Sequence, residues 1–179
     1  MTTPRPGPAT RTTPTTPTTP SPDTVGVARA VVRSPIGALV VDAHDGAITR
    51  LELRTEAPRA APGSPSDPVL AAAVGQIVAY LAGDLREFDL PLRLEGTPFQ
   101  QEVWAALRAI PYGETITYAE LAARVGRPRA HRAVGSANGR NPVAIVVPCH
   151  RVVASGGGLG GYAYGLEAKR WLLDLERRR

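Results

Sequence analysis

A single cysteine followed directly by a histidine is the part of this 179-residue sequence best suited to chemistry. Cys149 lies between Pro148 and His150 in the segment VVPCHRVV, and Arg151 comes next. A thiol attacks only as its thiolate, and a nearby histidine and positive charge lower its pKa. Cys149 is therefore a candidate nucleophile. The alternative is an inert cysteine at the end of a core strand.

The surroundings of Cys149 narrow the possible chemistry. One cysteine excludes an internal disulfide and a Cys-rich zinc site, and it leaves no partner for thiol-based redox sensing. The histidines His44, His131 and His150 lack the compact spacing of metal ligands, so we expect no metal. The following stretch SGGGLGGY lacks the Lys-Ser/Thr of a phosphate loop, but its glycines allow the backbone to approach a ligand closely.

Positive charge is concentrated in the second half of the chain. Residues 1–96 carry nine basic and ten acidic side chains, whereas residues 97–179 carry twelve basic and six acidic ones. This asymmetry favours a nucleic-acid partner, although an arginine-rich composition can produce a basic patch by chance. No apolar run approaches the roughly 18 residues of a membrane span, and no signal-peptide pattern is present. We therefore expect a cytoplasmic protein.

The first half of the chain must form a support for this site. Residues 1–24 are rich in Thr and Pro, and they predict a disordered tail. Residues 27–54 predict strands with an Asp-Gly turn in HDGA, and residues 55–67 predict a loop. A helix follows, capped by Asp67 and ended by Gly83. Its apolar face is predicted to contain Leu70, Val74, Ile77, Val78 and Leu81.

The second half predicts several short helices around the cysteine. TPFQ and TYAE are capping boxes that each open a helix, and RPRAHRAVGSANG predicts another helix. The last two predicted helices form a candidate helix-turn-helix, whose small residues and arginines suit a DNA groove or, alternatively, close helix packing. VAIVV predicts a buried strand or extended run. GLEAKRWLLDLERRR predicts a final helix with Trp171, Leu172 and Leu175 inward.

The motifs NPVAIVVPCHRVV and GYAYGLEAKRWLLDLE resemble those of the O6-alkylguanine-DNA alkyltransferases, also called methylated-DNA–protein-cysteine methyltransferases. The resemblance covers about residues 97–176 and includes TPFQQEVWAALRAIPYGETITYAELA and RAVGSANGRNP. It implies an α+β protein with a small ribonuclease-H-like domain over residues 25–93. A mainly helical, winged-helix-like helix-turn-helix domain over residues 94–179 would follow.

The resemblance also implies a catalytic set. Cys149 would accept the alkyl group, and His150 would take the thiol proton through a bound water. Glu176 would orient this relay, and Asn141 would hold the cysteine loop by hydrogen bonds. No cofactor is implied, because the lesion is itself the alkyl donor.

Further roles implied by the resemblance concern the alkylated base. The backbone carbonyls of Cys149 and Val152 would receive the guanine amino group. Tyr162 would wall the pocket, and the N–H of Ala163 would reach the O6 atom. Tyr118 would press on the flanking phosphate and donate a proton to the guanine ring.

DNA contacts complete what the resemblance implies. Arg132 would enter the base stack in place of the extruded nucleotide, and Ala133 and Ser136 would lie in the minor groove. His131 stands where the family often has a small residue, so it adds bulk to this surface. The expected partner is duplex DNA containing alkylated bases, bound by a monomer without an obligate protein partner. A non-catalytic sensor of alkylated DNA is the alternative, and the presence of Cys149 argues against it.

Overall fold

The computed structural model describes residues 27–56 and 67–178. The predicted tail over residues 1–24 and most of the predicted loop over residues 55–67 lie outside the described residues.

A three-stranded antiparallel sheet opens the described part of the chain. Its strands follow one another in the order β1, β2, β3, with the bounds Ala28–Ser34, Gly37–His44 and Ala47–Arg54. The predicted Asp-Gly turn joins the last two strands, where Asp45 and Gly46 adopt φ values of 48° and 70°. Both values lie in the left-handed region that a tight hairpin turn requires.

Helix α1, Pro68–Ala82, packs against this sheet. The Asp67 side chain accepts hydrogen bonds from the N–H groups of Val69 and Leu70, both at 2.9 Å, which confirms the predicted start of the helix. Gly83 ends the helix with φ 85°. Because a left-handed C-terminal residue is costly for any side chain, glycine suits this position.

The buried face of α1 differs from the predicted one. Leu70 and Ile77 are buried as expected, but Val78 is 52% exposed. Tyr80, which the prediction omitted, is fully buried. The helix is thus rotated so that an aromatic residue with a polar group enters the interior instead of an aliphatic one.

The second half is mainly helical, as predicted. Its helices are α2 (Pro98–Arg108), α3 (Tyr118–Arg124), α4 (His131–Gly139), a 3₁₀ helix (Cys149–Arg151) and α5 (Leu166–Arg177). Two short strands, β4 (Ile116–Thr117) and β5 (Val152–Val153), lie between them. Both predicted capping boxes are present, one joining Thr97 to Gln100 and the other joining Thr117 to Glu120. The two helices of the predicted helix-turn-helix are α3 and α4, and both pack against each other and against α2.

VAIVV, predicted to be a buried strand or extended run, does not form a continuous strand: Val143 makes an isolated parallel bridge to Leu51 of β3, and the chain then turns. All of its residues are buried except Val146, which is partly buried, and the Val147 N–H donates to the Val143 carbonyl at 2.9 Å. Ile145 has φ 71°, a left-handed value that interrupts any strand. The segment is therefore held by a short bridge to β3 and by its own turn, and not by a continuous ladder.

Strand β3 joins the two halves of the protein. The Leu51 N–H donates to the Pro142 carbonyl, and the Ala144 N–H donates to the Leu51 carbonyl, both at 2.9 Å. One continuous hydrophobic core contains residues from the sheet, from α1 and from the helices of the second half. The predicted α+β class, with a small sheet followed by a mainly helical part, is confirmed, and the sheet fixes the segment that leads to Cys149.

Candidate active site

Cys149 begins a 3₁₀ turn at the end of the buried segment 141–148. Its N–H donates to the Val147 carbonyl at 2.8 Å, and its own carbonyl accepts from the Val152 N–H. Pro148 immediately precedes the turn, so the cysteine and the histidine do not lie in a regular strand, where neighbouring side chains would point to opposite faces. The cysteine is only 4% exposed.

Asn141 closes the loop that carries Cys149. Its Nδ2 donates to the Val147 carbonyl at 2.7 Å, and its Oδ1 accepts from the Val143 N–H at 3.0 Å. Both bonds are buried, so each is worth more than a comparable bond at the surface. The side chain therefore ties both ends of the tight turn together immediately before the thiol.

An open cavity of about 330 Å³ leads to the thiol. Its walls come from α3, from α4 and from the segment that precedes α5, and they include Tyr118, Gly135, Asn138, Asn141, Cys149, Tyr162, Ala163 and Tyr164. Most of the predicted catalytic and substrate-binding residues thus border one space. Val152 is an exception, because it is buried beside the cavity and its carbonyl accepts from Lys169.

His150 and Glu176 form a buried pair behind the cysteine. His150 Nε2 lies 2.9 Å from Glu176 Oε1, and both side chains are completely buried. Glu176 also accepts from Arg151 and from the Gly113 N–H, at 2.9–3.2 Å. Burial alone would raise the pKa of Glu176, but hydrogen bonds from His150 and Arg151 outweigh it and lower the pKa to about 2.

The charge of Glu176 determines which nitrogen of His150 carries the proton. An ionised carboxylate can only accept, so Nε2 must donate to it. Burial lowers the pKa of His150 and keeps the ring neutral, although the Glu176 carboxylate opposes this shift. Nδ1 is then the basic nitrogen, and this buried atom has no hydrogen-bond partner within the described part of the chain. The pair can therefore accept one proton at Nδ1.

The arginine that follows the Cys-His pair in sequence binds elsewhere. Arg151 turns away from Cys149, because its guanidinium donates to Glu176 and to the Ile110 carbonyl at 2.6 Å. Burial raises the pKa of Cys149, and it outweighs a hydrogen bond from Asn141 and the positive charge of Lys169 on α5, which both lower that pKa. The resting group is thus a thiol that needs a base.

Lys169 also fixes the glycine-rich stretch next to the cavity. Its Nζ is buried and donates to the carbonyls of Val152, Leu159 and Gly161. Burial lowers the pKa of Lys169 to about 8, and the charge of Cys149 opposes that shift. One cation therefore joins the strand after the active-site turn to the loop that walls the cavity.

Three of the predicted DNA-contacting residues lie on α4, the helix that contributes Gly135 and Asn138 to the cavity wall. Arg132, Ala133 and Ser136 are all exposed on α4. Gly135, on the same helix, lies against the Tyr118 ring, with 3.7 Å between that ring and the position a Cβ would take. The Tyr118 hydroxyl donates to the Gly161 carbonyl at 3.3 Å. A duplex on α4 would therefore lie next to the cavity entrance.

Three polar residues at this site were not among those predicted from the sequence. Tyr80, Asn138 and Lys169 are all buried, and Asn138 Nδ2 lies 3.4 Å from the Cys149 carbonyl. Lys169 could have been found from its spacing, because it shares the helical stripe of Leu172 and Glu176. Tyr80 gave no comparable signal, since an aromatic residue on an amphipathic helix usually belongs to the core.

No group of three or more His, Cys, Asp or Glu side chains in residues 27–56 and 67–178 is arranged to hold a metal ion. Within the same ranges, no helix has the length and apolar character needed to cross a membrane.

A helix-turn-helix whose second helix borders a thiol-bearing cavity defines a class of DNA-binding protein that reacts through cysteine. The family model for the 6-O-methylguanine DNA methyltransferase DNA binding domain matches residues 98–178. The model for the ribonuclease-like domain of the same methyltransferase matches residues 27–94. Together the two matches account for almost all of the described residues.

Similar proteins agree with this assignment. The methylated-DNA–protein-cysteine methyltransferase of Mycobacterium bovis is 49% identical over 150 residues, which are 83% of this chain and 91% of the relative. The Methanosarcina barkeri protein of the same name is 47% identical, over 82% of this chain and 94% of the relative. A crystal structure of Mycobacterium tuberculosis OGT in complex with DNA is similar with a TM-score of 0.76 and 48% identity, over 84% and 93% of the two chains. The chain belongs to the methylated-DNA–protein-cysteine methyltransferase family.

Proposed function

We propose that this protein repairs duplex DNA by transferring the alkyl group of O6-alkylguanine to the sulfur of Cys149. The observation that carries the proposal is the placement of the only thiol of the sequence at a cavity beside α4, next to the buried pair in which His150 Nε2 lies 2.9 Å from Glu176 Oε1. Family membership and the similar protein in complex with DNA support the same conclusion. O4-alkylthymine is a second expected substrate, because the same alkyl–oxygen bond is present in it.

The proposed reaction begins with removal of the thiol proton. Because burial raises the pKa of Cys149, the thiol needs His150 Nδ1 as base, and a water molecule passes the proton between them. The sulfur then attacks the alkyl carbon in line, forming an S–C bond as the C–O6 bond breaks. The bonding electrons return to the guanine, which gains a ring proton in place of the alkyl group.

Tyr118 and Glu176 complete the proton balance in this proposal. Burial raises the pKa of Tyr118, so its hydroxyl keeps a proton at neutral pH and can donate it to the leaving guanine. The proton that His150 took from the thiol then passes to Tyr118. Until this transfer, the Glu176 carboxylate stabilises the protonated His150 ring. Overall, a thiol and an alkylated base become a thioether and guanine.

The proposed approach to DNA follows from the surface of α4. The target carbon is inaccessible in a stacked duplex, so the nucleotide must rotate out into the cavity. Arg132 fills the space left in the stack, while Ala133 and Ser136 allow the helix backbone to approach the minor groove. Arginines on this surface neutralise phosphates, which predicts binding that weakens as salt is added.

The proposal also implies that each molecule acts once. Water cannot readily displace a thiolate from a thioether, and the chain has no second cysteine that could take over the alkyl group. The methylated protein is therefore an end product of the reaction and not an intermediate.

Mass spectrometry after incubation with a duplex containing O6-methylguanine tests the proposal. We expect the peptide that contains Cys149 to gain the mass of one methylene group, and the yield to stop at one methyl group per protein molecule. Cys149→Ser is the matched control and should leave the lesion in the DNA. Tight binding of the lesion by the unaltered protein with no mass gain would instead identify a sensor, and repeated turnover would identify a hydrolase-like enzyme.

A further inference from the structure

We propose that Tyr80, from helix α1 of the N-terminal half, is a positioning residue of the proton relay. Its hydroxyl donates a hydrogen bond to the Glu176 oxygen that contacts His150 and so reduces the negative charge that this oxygen presents to the histidine. This inference rests on the proposed function, in which His150 is the base. It gives the N-terminal half an influence on the proton relay, exerted through Glu176, in addition to its support of the fold.

The geometry around Tyr80 is specific to its hydroxyl group. Tyr80 Oη donates to Glu176 Oε1 at 2.6 Å, and the same oxygen lies 2.9 Å from His150 Nε2. Tyr80 Oη and His150 Nε2 are themselves 3.5 Å apart. All three side chains are completely buried, so no bulk water competes for these contacts. The hydroxyl therefore touches the relay at the atom that holds His150.

Packing alone does not account for a tyrosine at this position. The Tyr80 ring lies 5.2 Å from the Phe88 ring and meets the Tyr112 ring edge-on at 6.1 Å, contacts that a phenylalanine would also make. A buried hydroxyl costs free energy unless it is hydrogen-bonded, so the oxygen is retained through its bond to Glu176. What the hydroxyl adds to the aromatic ring is thus confined to the relay.

The charged groups around His150 determine the direction of the expected effect. Glu176 favours its protonated form, whereas Arg151 and Lys169 disfavour it. A hydroxyl that donates to the carboxylate disperses negative charge that would otherwise act on the imidazole. Without that hydroxyl, Glu176 attracts the imidazolium more strongly, so the pKa of His150 rises and the ring is protonated at a higher pH.

Tyr80→Phe removes the hydroxyl and keeps the ring. We expect the acid limb of the pH profile for alkyl transfer to move to higher pH by about one pKa unit, which is about a tenfold loss of rate on that limb. The rate on the alkaline side should change much less, and affinity for the duplex should stay the same. Tyr112→Phe is the matched control, because it removes a hydroxyl from the neighbouring ring without removing a bond to Glu176.

Nuclear magnetic resonance of the three histidines provides a second measurement that needs no alkyl transfer. The titration of His150 should move to higher pH in Tyr80→Phe and stay in place in Tyr112→Phe. An unchanged His150 titration, or an equal loss of rate at every pH, would overturn the assignment. Absence of transfer by the unaltered protein would refute the proposed function instead, while the His150 titration would still decide the role of Tyr80.

Discussion

Glu176→Gln keeps the shape of a buried side chain and removes the negative charge to which the neighbouring groups donate their hydrogen bonds. In the native protein the carboxylate accepts hydrogen bonds from Tyr80, Gly113, His150 and Arg151. A glutamine offers one acceptor oxygen and presents an NH₂ group to the same donors. The substitution therefore leaves the Arg151 guanidinium buried without a counter-charge.

The lowered pKa of Glu176 gives the size of the effect. A fall from 4.5 to about 2 corresponds to about 3 kcal/mol at 1.36 kcal/mol per pKa unit. Removing one partner of a buried ion pair typically costs about 3–5 kcal/mol, which agrees. Because many domains are stable by only about 5–15 kcal/mol, this single substitution brings the protein close to unfolding.

The dependence on pH makes the prediction specific. The folded-state pKa of Glu176 lies below its unfolded value, so its stabilisation is complete well above pH 4.5 and is lost as the pH falls toward about 2. The difference in stability between the native protein and Glu176→Gln should thus be about 3 kcal/mol near neutral pH. This difference should shrink by about 2 kcal/mol at about pH 3, because the Glu176 carboxyl group of the unfolded chain is then already protonated.

Urea unfolding followed by tryptophan fluorescence measures the free energy of unfolding of each protein, at neutral pH and at about pH 3, since the chain has two tryptophans. Glu167→Gln is the control, because Glu167 is an exposed residue in the first turn of the same helix. It should change the free energy of unfolding by less than about 0.5 kcal/mol. A Glu176→Gln protein within about 1 kcal/mol of the native one, or a difference that does not depend on pH, would refute the reasoning.

Three other substitutions test neighbouring parts of the site. Arg132→Ala should slow repair of duplex DNA by about tenfold or more, and reaction with free O6-benzylguanine much less, because only the duplex requires base flipping; equal losses on the two substrates would contradict the proposed role. Gly160→Ala should destabilise the protein by about 1–3 kcal/mol in thermal unfolding, for two reasons. The added Cβ would lie 2.9 Å from the Tyr118 ring, and residue 160 has a left-handed φ of 67°, which is unfavourable for alanine. Gly161→Ala, with open space at its Cβ, is the control. Lys169→Met should raise the pKa of the thiol in an iodoacetamide titration, and a thiol that titrates as in the native protein would remove Lys169 from its electrostatic role.

Local signals in the sequence were sufficient for the starts of three helices and for one hairpin turn. The starts of α1, α2 and α3 follow from N-terminal caps in which the donor and acceptor lie within three residues of each other. The Asp45-Gly46 turn is equally local, and it was predicted correctly. The motif PCHR supplied a candidate nucleophile, and the resemblance to the alkyltransferases implied its role as alkyl acceptor.

Only the tertiary structure decided how the polar groups are distributed around Cys149. Arg151 follows the cysteine closely in sequence but serves Glu176, while the cation next to the thiol comes from Lys169 on another element. Tyr80 meets Glu176 across 96 residues of chain and His150 across 70. Periodicity and caps describe interactions within a few residues, whereas these contacts depend on how α1, the 3₁₀ turn and α5 pack against one another. The sequence therefore determined which group could react, and the packing determined which groups hold its base and set its charge.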